Sequence, residues 1–133
     1  MKSLFFIILI SAIGLSAAGQ YQLYKEVNQV EFYTKWGREK WLSKKSPRVL
    51  MVKVVNKGSH AAEFDLGVEF FRNLVLVEES KPASQCLSAG KTLLPRMSGL
   101  IFKPAEINPD EIDSVELTGL DIMIKDKPDC IRP

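Results

Sequence analysis

The chain has 133 residues, 46% of them hydrophobic, with 18 basic and 16 acidic side chains and a formal net charge of +2. That length holds one ordinary domain with a single core. The near balance of charge excludes the overall signature of a polyanion-binding protein.

Residues 1–19 read as a secretory signal peptide. Lys2 gives a positive start, "LFFIILISAIGLSA" (residues 4–17) an apolar core, and Ser16, Ala17, Ala18 and Gly19 a small-residue cleavage site. The apolar run of 14 residues is shorter than the roughly 20 that a spanning helix needs. Cleavage after Ala18 or Gly19 leaves residues 20–133 as one domain, secreted or periplasmic, with no later apolar run long enough to cross a membrane.

The first strand expected is "VEFYTKW" (residues 30–36). Val30, Phe32, Thr34 and Trp36 share one face of it, and Glu31, Tyr33 and Lys35 the other. Gly37 is expected to break it, with "EKWLS" pairing back as a short strand. "RVLMVKVVN" (residues 48–56) is a strand rich in β-branched residues, closed by the turn "NKGS". "EFDLGVEFF" (63–71) and "LVLVEES" (74–80) follow, joined tightly through Arg72-Asn73. Their apolar residues lie on both faces, which predicts a pair well inside a sheet or between layers. "SAGKT" (88–92) is a turn, "GLIFKP" (99–104) a short strand, and Pro109 the start of one helical turn. In "SVELTGLDIMI" (114–124) the apolar phase flips at Gly119. Either a bulge there keeps both apolar sets on the core side, or both faces are buried.

Six to eight short strands without a sustained helical period predict an all-β, antiparallel sandwich. The stretch "PRVLMVKVVNKGSHAAEFDLGVEFF…CLSAGKTLL", within residues 47–103, resembles bacterial immunoglobulin-like sandwich modules of small exported proteins. In those, a strand ends in Asn-x-Gly, a Phe-rich strand follows, and an "AGKT"-like turn opens the next. The resemblance implies an immunoglobulin-like β-sandwich fold. It carries no catalytic residues.

Two cysteines in an exported chain, Cys86 and Cys130, point to one disulfide. Free thiols are the alternative. A metal pair would lack further soft ligands. The lone histidine, His60, sits in the turn "KGSHAA" and serves as a base only if a distant Ser and acid converge on it. Adjacent Glu78 and Glu79 point to opposite faces of a strand and cannot act as an acid/base pair. Asp110, Glu111, Asp113 and Glu116 form an acidic loop that matches no ordered calcium loop. "SAGKT" lacks the first glycine and spacer of a phosphate loop.

The densest chemistry lies in "FYTKWGREKWLSKKSPR" (residues 32–48), with four aromatic and six basic residues, both tryptophans among them. Residues 35–57 hold eight basic residues and one acid, against eight and thirteen in residues 58–133. Trp36 shares the parity of Val30 and Phe32 and belongs to the core; Trp41 is less constrained. The expected function is a non-enzymatic binding module without a cofactor. Its contact surface is Tyr33, Lys40, Trp41, Lys44, Lys45 and Arg48, meeting an anionic glycan or an acidic protein rather than nucleic acid. The alternative is a structural or chaperone-like envelope protein with no ligand, its lysines only guarding a sheet edge.

Overall fold

The computed structural model of the protein describes residues 20–40 and 43–130. The signal-peptide reading of residues 1–19 and the expectation for Trp41 lie outside the described residues.

The described chain is all-β, with two antiparallel sheets whose apolar faces meet in one core. The first sheet begins with the hairpin β1 (Gln22–Val27) and β2 (Val30–Arg38). Its two-residue turn is Asn28-Gln29, both at positive φ, the geometry that matches the twist of paired strands. β2 pairs along its whole length with β3 (Arg48–Asn56), so Gly37 does not break the strand. Gly37 pairs with Val49 and lies against Met51, whose methyl would be 3.0 Å from a β-carbon there. The short strand expected over 39–43 falls partly outside the described residues; Glu39, Lys40 and residues 43–47 lie in no strand, and Glu39 N–H donates to Pro47 O at 3.0 Å. Two short strands, β7 (Thr92–Leu93) and β8 (Ile101–Phe102), share the far edge of β3. The chain leaves that edge at residues 94–99 to make one helical turn, α1 (Pro95–Ser98), ended by Gly99 at φ 78.

The second sheet is built around β4 (Ala62–Arg72). On one side it pairs with β5 (Val75–Glu79) and then β6 (Ala83–Leu87); on the other with β9 (Ser114–Thr118) and β10 (Met123–Ile124). Alternation along β4 buries Ala62, Phe64, Leu66, Val68 and Phe70 against Val30, Phe32, Leu50, Val52 and Val54 of the first sheet. Phe32 meets Phe64 edge-on, with ring centroids 5.3 Å apart. Trp36 lies on the core side, as its parity requires, 6.0 Å from Phe70. Asn56 is buried and fully bonded. Its amide donates to His60 O and Leu87 O, and its side-chain oxygen accepts from Gly58 N–H.

Two expectations are corrected here. The β4–β5 turn is Asn73-Leu74, one residue later than expected, with both residues at positive φ. Nor does the pair lie wholly inside: Leu74, Val75 and Leu76 are exposed, because β5 is an edge strand. The phase flip at Gly119 is absorbed by a break between β9 and β10. Gly119 takes φ 72 and passes against the Asp65 carbonyl, where no β-carbon would fit. Val115, Leu117, Leu120 and Ile122 thereby all face the core.

The sulfurs of Cys86 and Cys130 are at bonding distance, 2.03 Å. The segment after β10 is laced to its surroundings as well. Ala61 N–H donates to Lys127 O, Ala89 N–H to Pro128 O, and Cys130 N–H to the Ser88 hydroxyl. No helix among the described residues is long and apolar enough to cross a membrane.

Candidate binding face

Strand parity divides the basic segment between different surfaces. Tyr33 points to the outer side of the first sheet. Arg48 has the parity of Leu50 and turns to the other side, where its guanidinium stands 5.5 Å from the Trp36 ring and donates to Asp110 at 2.9 Å. There it borders a hollow of about 550 Å³ at the margin between the sheets. Lys40, Lys44 and Lys45 are exposed and lie outside any strand. Ser46 ties back to Lys40, its hydroxyl accepting from Lys40 N–H and donating to Lys40 O. Tyr33 and Arg48 therefore do not share a surface.

A different grouping forms on the outer side of the first sheet. Pairing of Tyr33 with Lys53, and of Lys35 with Met51, sets these side chains beside one another across β2 and β3. Tyr21, just before β1, completes the row. The Lys53 ammonium lies 4.6 Å from the Tyr21 ring and 4.7 Å from the Tyr33 ring, and the Lys35 ammonium 5.4 Å from Tyr21. At these distances the ring faces attract the cations and hold them in place. Burial raises the Tyr21 hydroxyl above its ordinary pKa, opposed by the charge of Arg96. Tyr33 is raised by burial first and then by its hydrogen bond and charge interaction with Glu31, with Lys57 opposing.

Beside this row runs a groove of about 470 Å³ between β2 and α1. Met51 and Gly37 form its floor, and Leu94 and Met97 one wall; Met97 is 85% exposed. Arg96 crosses from α1 to the end of β2, donating to the carbonyls of Arg38 and Glu39, both at 2.8 Å. Arg38 in turn donates to Ser46 O. These carbonyls fix the guanidinium groups without cancelling their charge. Among the described residues, no carboxylate lies within salt-bridge distance of Lys35, Arg38, Lys53 or Arg96. Elsewhere Arg48, Lys57, Arg72, Lys103 and Lys125 are paired with acids.

The acidic loop is largely consumed by structure. Asp110 pairs with Arg48, Glu111 with Arg72, and Asp113 accepts from Asn73 N–H. Glu78 accepts from Ala105 and Glu106 N–H groups, while Glu79 points to the outer side, so the two carboxylates are separated as their adjacency requires. His60 is exposed beside Ser59. Among the described residues no cluster of His, Cys, Asp and Glu is arranged to hold a metal ion.

Sequence reasoning missed Tyr21, Lys35, Lys53, Arg96 and Met97 as members of this face. Lys53 carried a signal, as the one charge inside an otherwise apolar strand. Arg96 carried none, because only the excursion at residues 94–99 brings it back to β2. No family model, no curated protein and no solved structure matches the chain.

Proposed function

We propose that the protein is an exported, non-enzymatic binding module, secreted or periplasmic, that takes an acidic partner across the outer face of its first sheet. The observation that carries this reading is the set of three cations without carboxylate partners among the described residues, Lys35, Lys53 and Arg96, interleaved with Tyr21 and Tyr33. A cation already anchored by a ring face or a carbonyl loses little freedom on meeting an anion, which favours binding. An anionic glycan or an acidic protein surface both meet this chemistry. Export is supported by the N-terminal sequence and by the joined cysteines.

The finer fold reading is an immunoglobulin-like sandwich. It is supported by the order β2-β3-β7/β8 in one sheet and β5/β6-β4-β9/β10 in the other. With β3 and β4 in the places of strands B and C, β7/β8 and β9/β10 fall in those of E and F. The disulfide departs from that pattern, since it joins β6 to the C-terminal segment rather than B to F.

The test is binding of polyglutamate and of heparin at low and high salt. Wild-type protein is expected to bind at least one of them and to release it as salt rises. The double variant Lys35→Gln, Lys53→Gln is expected to bind about tenfold more weakly, from two surface contacts of up to about 1 kcal/mol each. Equal binding by the variant, or binding indifferent to salt, overturns the reading.

A further inference from the structure

The outer face of the second sheet is the chemical opposite of the basic face. Register places Glu79 of β5 opposite Glu69 of β4, and Glu69 opposite Glu116 of β9. Three carboxylates thus lie in one row across three adjacent strands, with neighbouring strands about 5 Å apart. Among the described residues no cation lies within salt-bridge distance of any of them. Like charges set directly opposite oppose pairing. Beside it, Phe71 faces Leu76 across β4 and β5, so the row borders an apolar surface. The basic face has the same make-up with the sign reversed: Lys35, Lys53 and Arg96 beside the exposed Met97.

We infer that the acidic partner of the basic face is a second copy of this chain, docking through the outer face of its second sheet. This inference rests on the acidic-partner reading above and names the partner. The Glu69–Glu79–Glu116 row meets Lys35, Lys53 and Arg96, while Phe71 and Leu76 meet the groove wall at Met97. The contact is heterologous, since basic would meet basic and acidic meet acidic if like faces paired. Each docked copy leaves one basic and one acidic face open, so association runs head to tail rather than stopping at a symmetric dimer.

Sedimentation velocity of the purified exported protein, over a wide range of concentration and at low and high salt, tests this. Wild type is expected to grow in size with concentration at low salt and to return to a monomer at high salt. Two variants separate the faces. Glu69→Gln with Glu79→Gln and Glu116→Gln removes the acidic row while relieving its internal repulsion. Lys35→Gln with Lys53→Gln weakens the basic face. Each alone is expected to lose the concentration dependence. Mixed, they are expected to form a dimer and stop there, because only one intact pair of faces remains. A wild type that stays monomeric throughout overturns the inference. So do variants that associate as wild type does, or a mixture that stays monomeric. Binding of polyglutamate or heparin to the Glu→Gln variant is the independent arm. If that binding persists while the wild type stays monomeric, the acidic-partner reading stands and the second-copy inference falls. If the wild type stays monomeric and the variant binds neither polyanion, both fall.

Discussion

Leu74 is the residue least at home in its backbone. It sits at φ 65 in the β4–β5 turn with 92% of its surface exposed. A left-handed conformation costs an L-residue with a β-carbon about 1–2 kcal/mol, and burial returns almost nothing here. The turn geometry is the one in which Asn-Gly is preferred, and Asn73 already fills the first position. Leu74→Gly is therefore expected to stabilise the protein by about 0.5–1 kcal/mol, the relieved strain less the extra freedom glycine brings to the unfolded chain. A urea titration reads this as a higher midpoint with unchanged slope. A lower midpoint would mean that the Leu74 side chain is held by a contact worth more than its strain. Gly119 shows the converse: its positive φ and its close pass over Asp65 both require glycine.

At the scale of elements, β2, β3 and β4 were legible because alternation and β-branched residues mark a half-buried strand wherever its face is covered. β1 and β6 were not. "QLYKEV" is a mostly exposed edge strand and "ASQCL" buries only Leu87; the pairing of both rests on backbone groups, and so they carry little apolar pattern. β5 misled in the other direction, since its run of Leu and Val reads as interior although much of it is exposed. The candidate face was legible only in part. The excess of basic and aromatic residues near β2 was plain, but which of them share a side depends on register. Arg96 and Met97 reach the groove only because the β7–β8 edge breaks around α1. The C-terminal segment is held by the Cys86–Cys130 bridge across 44 residues. Replacing both cysteines with serine is expected to cost about 3–4 kcal/mol, chiefly by freeing the unfolded chain. Thermal or urea denaturation of the double variant measures it. A loss well under 1 kcal/mol would mean that the hydrogen bonds at Ala61, Ala89 and Cys130 fix the segment unaided.

On the scale of the whole molecule, a net charge near zero conceals a polarised surface. Among the described residues, the outer side of one sheet gathers the unpaired cations Lys35, Lys53 and Arg96 and that of the other the unpaired carboxylates Glu69, Glu79 and Glu116, while Arg48–Asp110 and Arg72–Glu111 pair elsewhere. Total charge says nothing of this, because charges that cancel in the sum stay apart in space. β4 adds a further whole-molecule property. It is the one strand through which β5, β6, β9 and β10 are joined, so none of these can keep its place in the sheet once β4 has left it. Opening of the second sheet is then all-or-none. The β4 amides at Leu66, Val68 and Phe70 are expected to exchange their hydrogens for deuterium only when the entire domain unfolds, at one common rate. Amides of β1, on an exposed edge, are expected to exchange earlier, through local fraying.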